Sequence, residues 1–191
     1  MKLLYIDACI RGENSRTRRV AEPLIDALSS RYDVERLSLN DLSLSPLQKP
    51  ALDARFRGEV DQASLLWAEL VRDADRIVIA APLWDMSIPS ALKVFFELSS
   101  IPGITFVDTE EKCVGNCRAS KLLFVTTRGM DISTGDPLEQ ATPYLRALSW
   151  LWGIDELCVV SAQNMDYVSE DEAEKKIQCA IAEGLAIAEQ F

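Results

Sequence analysis

The residues with the greatest chemical reach stand in three short polar stretches. In "ACIRGENSRT" (8–17), Ser15 and Thr17 sit beside Arg11 and Arg16 where a helical pattern begins. Hydroxyls and free N–H groups at a helix start, with the positive end of its dipole, form an anion site. The plainer role of such hydroxyls is helix capping. The stretch has one glycine, so it spells neither a P-loop nor a G-x-G-x-x-G turn. In "PLWDM" (82–86), Trp84 offers a flat apolar face, or else packs under its own loop. In "TTRGMDISTGDP" (126–137), Gly129 and Gly135 permit tight turns. Arg128 there either meets negative charge on a ligand or pairs with a nearby carboxylate. An anion cradle, an aromatic wall and closely approaching backbone together suit a planar heterocycle on a phosphate tail, with FMN the leading candidate.

These stretches need elements to hold them. Short apolar runs at Leu3–Ile6, Ile77–Ala81, Leu122–Val125 and Leu157–Val160 lack two-fold alternation, as strands buried on both faces do. The run Val34–Leu39 alternates and suits an edge strand. Helical patterns lie between them, at Ser15–Tyr32, Leu52–Ala74, from Ile88 onward, Pro137–Trp152 and Ser169–Phe191. Pro23 should disturb the first of these. Alternating strand and helix predict a three-layer α/β sandwich of flavodoxin-like type, with five parallel strands in the order 2-1-3-4-5. All three polar stretches then follow strands and meet at the carboxyl edge of the sheet, where such folds bind ligands. Residues 101–119 read as a surface excursion or hairpin, and 1–191 as one domain.

Composition removes several chemistries. The chain has 191 residues, no histidine and a formal charge of −10. Absence of histidine excludes Ser-His-Asp and Cys-His catalysis and histidine-ligated metal. The negative charge opposes nucleic-acid binding. No apolar run approaches the ~20 residues of a membrane span, and the first residues read as a strand, so a cytoplasmic protein with reduced thiols is expected. The five cysteines include Cys113 and Cys117 in "CVGNC", two thiols without the second pair that a metal site needs.

The motifs resemble those of the FMN-dependent NADH-azoreductase and NAD(P)H:quinone oxidoreductase family. "IRGENSRT" is similar to its R-G-E-x-S-x-S phosphate loop, and "PLWDMSIPSALK" to its P-M-Y/W-N-F-x-I-P-x-x-L-K flavin loop. "TTRGM" resembles T/S-R-G-G, and "PYLRALSWLWGI" resembles Y-L-R-x-x-L-x-F-I-G-I. Cys9, Asp85, Met86 and Met130 depart from the family's serine, asparagine, phenylalanine and second glycine. The resemblance implies FMN, with Cys9, Arg11, Ser15, Arg16 and Thr17 around its phosphate. It implies Pro82, Leu83, Trp84, Asp85, Met86, Thr127, Arg128, Gly129 and Met130 around its ring. It further implies NADH or NADPH as donor, a quinone or azo acceptor, ping-pong transfer and a homodimer. The bulky residues Leu145, Leu148, Trp150, Leu151 and Trp152 are the apolar surface expected to form that dimer.

Two rivals remain open. A flavodoxin-like electron carrier or sensor would share the cofactor, though the segment Tyr144–Ile154 favours the enzyme. A cysteine phosphatase would use Cys9 and Arg16, but the spacing is C-x6-R, whereas those enzymes need C-x5-R.

Overall fold

The computed structural model describes residues 1–191. Strands β1 (Lys2–Asp7), β2 (Asp33–Ser38), β3 (Arg76–Ala80), β6 (Lys121–Thr127) and β7 (Glu156–Ala162) form one parallel sheet. Its order is β2-β1-β3-β6-β7, which is 2-1-3-4-5 among the parallel strands. The inner strands are buried along nearly their whole length, which explains their unbroken apolar runs. β2 is partly exposed and lies at an edge, as its alternation predicts.

Helices α3 (Gln62–Asp73), α4 (Ser90–Ser99) and α5 (Ala141–Trp152) cover one face of the sheet. α1 (Arg16–Leu28) and α6 (Glu170–Glu189) cover the other. The two faces bury 22 and 21 residues, so both layers are held by apolar burial to a similar extent. Each fully buried Leu, Ile or Phe contributes roughly 1.5–3 kcal/mol. α1 runs unbroken through Pro23, with its apolar stripe Val20, Ala21, Leu24 and Leu28 against the sheet.

Two helical expectations are corrected. The span Leu52–Ala74 is two helices, α2 (Lys49–Phe56) and α3. Gly58, with φ of 79°, ends the first, and the Asp61 carboxylate accepts from Ser64 N at 2.9 Å to start the second. α5 begins at Ala141, because Gly135 (φ 92°), Asp136 and Pro137 form a turn. Residues 101–119 do contain a hairpin, β4 (Phe106–Asp108) against β5 (Cys113–Gly115). It lies on the end of α5, where a Cβ on Gly115 would come within 2.0 Å of Gly153 N.

Candidate active site

The loops after β1, β3 and β6 converge at the carboxyl edge, beside the place where strand order reverses between β1 and β3. A cleft of about 120 Å³ opens there. Arg11, Ser15, Arg16, Pro82, Leu83, Trp84, Thr127, Arg128 and Gly129 line it, with Met165 and Asp166. A larger cavity of about 570 Å³ lies under α2, lined by residues such as Pro46, Arg55 and Trp67. It touches none of the three loops, so size alone does not mark the site.

In the first loop, a turn at Gly12–Asn14 leads Ser15 onto the start of α1. Ser15 is the N-cap, its hydroxyl accepting from Arg18 N at 3.4 Å. The N–H groups of Arg16 and Thr17 have no carbonyl one turn back within the helix, so they remain available to an anion. The Thr17 side chain is not: it is buried and shares a 2.6 Å hydrogen bond with the Thr127 hydroxyl. That bond locks the first loop to the third. Arg18 braces the same loop, reaching Asp7 (3.6 Å), Glu13 (2.8 Å) and Glu22 (3.5 Å).

Cys9 faces inward rather than into the cleft. Its thiol is fully buried and donates to Ala80 O at 3.6 Å, so only its backbone belongs to the loop. Burial, and then the Asp7 carboxylate, push this thiol far above its ordinary value. A phosphatase nucleophile needs the opposite shift, toward thiolate. Geometry and charge therefore both oppose the phosphatase reading.

In the second loop, Trp84 and Ser87 exchange two backbone hydrogen bonds of 2.9 and 2.8 Å. Asp85 (φ 46°) and Met86 (φ 66°) are both left-handed between them, the pattern of a type I′ hairpin turn. Asparagine or aspartate commonly fills the first of those positions and glycine the second, so Met86 carries the backbone strain. The turn pushes Trp84 outward, 44% exposed. Asp85, Met86 and Met130 stand outside the lining of the cleft.

In the third loop, Arg128 is wholly buried. It donates to Ile132 O at 2.9 Å and to the Thr134 hydroxyl at 2.8 Å, folding residues 129–134 around its guanidinium. Glu139, equally buried, lies 4.0 Å away. Burial pulls the Arg128 pKa down and Glu139 opposes that pull; an arginine stays charged under either influence.

A fourth loop escaped the sequence reading. After β7, Asn164 turns left-handed (φ 58°), and Asn164, Met165 and Asp166 donate backbone bonds to Met130, Arg128 and Gly129. A Cβ on Gly129 would lie 2.1 Å from the Asp166 carboxylate, so a larger residue there would have to displace that side chain. That carboxylate meets Arg16 at 2.6 Å, across the cleft. The rule that ligands gather at strand carboxyl ends could have found it, since "QNMD" directly follows the last strand.

A family model described as "Flavodoxin-like fold" matches residues 1–186. The chain belongs to the flavodoxin-like family. A Stenotrophomonas maltophilia protein named FMN-dependent NADH:quinone oxidoreductase is 32% identical over 186 residues, covering 95% of this chain and 93% of the relative. A Clostridium acetobutylicum protein of the same description, numbered 2, is 32% identical over 179 residues, covering 89% and 90%. Among solved structures, an FMN-dependent NADH-azoreductase from Bacillus anthracis in complex with FMN superposes with a TM-score of 0.86 at 21% identity, covering 100% and 99%. At that identity the superposition speaks for the fold. The family resemblance read from the four motifs is thus borne out in its main line.

Proposed function

We propose that this member of the flavodoxin-like family is an FMN-dependent NAD(P)H oxidoreductase that reduces quinones, azo compounds or both. The observation that carries the reading is the convergence of the α1 start, the Trp84 turn and the Arg128–Gly129 backbone on one cleft. The names of relatives at 32% identity add NADH as donor and quinone as acceptor.

The residues present fit the cofactor. Ser15 and the N–H groups of Arg16 and Thr17, with the Arg11 and Arg16 guanidinium groups, suit a phosphate monoester. Pro82, Leu83, Trp84 and the backbone of Thr127–Gly129 suit the planar ring, and all of them line the cleft. Bound FMN would supply the redox chemistry, taking two electrons from NAD(P)H and passing them to the acceptor in ping-pong order. The chain contributes placement and field. Trp84 walls the ring, the Thr17–Thr127 bond holds phosphate loop and ring loop at constant spacing, and Arg128 places positive charge beneath the ring loops. No side chain is required as a proton donor or acceptor.

The homodimer belongs to this proposal, on narrower support than the sequence offered. Of the bulky residues on α5, Trp152 is buried edge-on against Phe96 and Leu145 and Leu148 are buried too. Trp150, 71% exposed, is the residue left to face a partner, with Leu151 half-buried beside it. Sedimentation of wild type and Trp150→Arg tests this: a micromolar dimer that the substitution dissociates is expected, and a wild-type monomer would refute it. The enzyme itself is tested by following NADH oxidation in FMN-loaded protein with and without a benzoquinone. Turnover only when both are present is expected. FMN binding without turnover would favour the electron carrier.

A further inference from the structure

We propose that Glu139 is a positioning residue for the flavin-ring loops, acting through Arg128, and that this buried pair sets the redox potential of the bound cofactor. The inference rests on the FMN reading above. Both side chains have no solvent exposure, and they face each other at 4.0 Å, an ion pair too long for a hydrogen bond.

Three connections meet at Glu139 and the residue that follows it. Its Oε1 accepts from Thr142 N at 2.9 Å and so fixes the first turn of α5. The next residue, Gln140, donates its N–H to Met86 O at 2.8 Å, tying α5 to the turn that carries Trp84. The Glu139 Oε2 faces Arg128, around which residues 129–134 are folded. The Glu139–Gln140 corner therefore touches both loops that would hold the ring, the carboxylate facing Arg128 and the next backbone N–H bonding the Trp84 turn.

The pair is poorly arranged for stability. Arg128 Nε and Glu139 Oε2 are buried with no hydrogen-bond partner. Buried ion pairs with unmet hydrogen-bonding capacity are commonly no more stable than apolar residues of the same volume. What the arrangement does supply is electrostatic. A lone guanidinium buried behind the Thr127–Gly129 stretch that lines the cleft would favour the extra negative charge of reduced flavin. Glu139, in the same low-dielectric surroundings, offsets it. The two charges together hold the potential below the value Arg128 alone would impose.

The test begins with an FMN titration of wild type. Absence of binding there ends the cofactor reading, whereas later outcomes bear on the pair alone. Spectroelectrochemical titration then compares wild type with Glu139→Gln, which keeps the shape and the Thr142 cap but drops the charge. The variant should favour reduced over oxidised FMN about tenfold more than wild type, a rise of about 30 mV for a two-electron couple. Glu139→Asp, which retains the charge, should stay near the wild-type potential. Removing both charges, in Arg128→Met/Glu139→Gln, should return the potential toward wild type. Should Glu139→Gln fail to fold, Glu139→Met carries the same expected rise without an amide to satisfy. A folded, FMN-binding Glu139→Gln or Glu139→Met with an unchanged or lowered potential would overturn the proposal.

Discussion

Asp166→Asn should tighten FMN binding while leaving riboflavin binding unchanged. Asp166 places a carboxylate among the cationic groups that would hold the phosphate, and it occupies Arg16 at 2.6 Å. Phosphate must break or share that ion pair on binding. The Arg16 and Asp166 side chains are 36% and 62% exposed, so the pair belongs to the surface class worth about 0.2–1 kcal/mol. Freeing Arg16 therefore gains roughly 1.5- to 5-fold in affinity. Removing repulsion between carboxylate and phosphate acts in the same direction. The backbone bond from Asp166 N to Gly129 O, 3.0 Å, does not involve the side chain and survives the substitution. Fluorescence-quenching titrations of apoprotein with FMN and with riboflavin read the effect. The gain should shrink in high salt, where exposed charges are screened. Weaker FMN binding, or an equal gain for riboflavin, would refute the reasoning, because the effect would then lie elsewhere than the phosphate.

Met86→Gly should stabilise the protein: relieving a left-handed non-glycine residue returns about 1–2 kcal/mol, and the extra freedom of the unfolded chain removes about 0.4–1 of it. A rise of about 1–4 °C in Tm by calorimetry is expected for a chain of this size. Ser15→Ala removes an N-cap whose bond is long, 3.4 Å, so it should cost about 0.5–1 kcal/mol in urea unfolding and should weaken FMN more than riboflavin. Asp85→Asn should raise the midpoint potential of bound FMN by less than about 30 mV, since solvent screens this exposed carboxylate, with no loss of Tm because asparagine tolerates the left-handed region.

The strands were legible because parallel strands buried on both faces leave continuous apolar runs, and their alternation with helices restricts the topology. The break at Gly58 was harder to read, since Leu52, Leu65 and Leu66 continue an apolar rhythm across it. The backbone conformation that ends α2 is local chemistry rather than periodicity. Among site residues, Ser15, Arg16 and Trp84 were legible from type and from position after a strand. Cys9 and Thr17 carry no mark in the sequence to say that their side chains point into the core and toward Thr127. Asp166 and Glu139 were missed for a related reason. Each acts on an arginine distant in sequence, 150 residues for Arg16 and 11 for Arg128, and only the folded chain brings the partners together. The α5 tryptophans show the same limit: two residues apart on one helix, Trp150 faces solvent and Trp152 the core.

The central claim is that the cleft between Ser15, Trp84 and Gly129 holds FMN for two-electron transfer. Anaerobic stopped-flow mixing of FMN-saturated protein with NADH, watching flavin absorbance, tests it most directly. One FMN per chain is expected, with bleaching by NADH without any acceptor and return of the absorbance when a quinone is added in a second mix. Protein that binds no FMN, or bound flavin that NADH leaves unbleached, would contradict it.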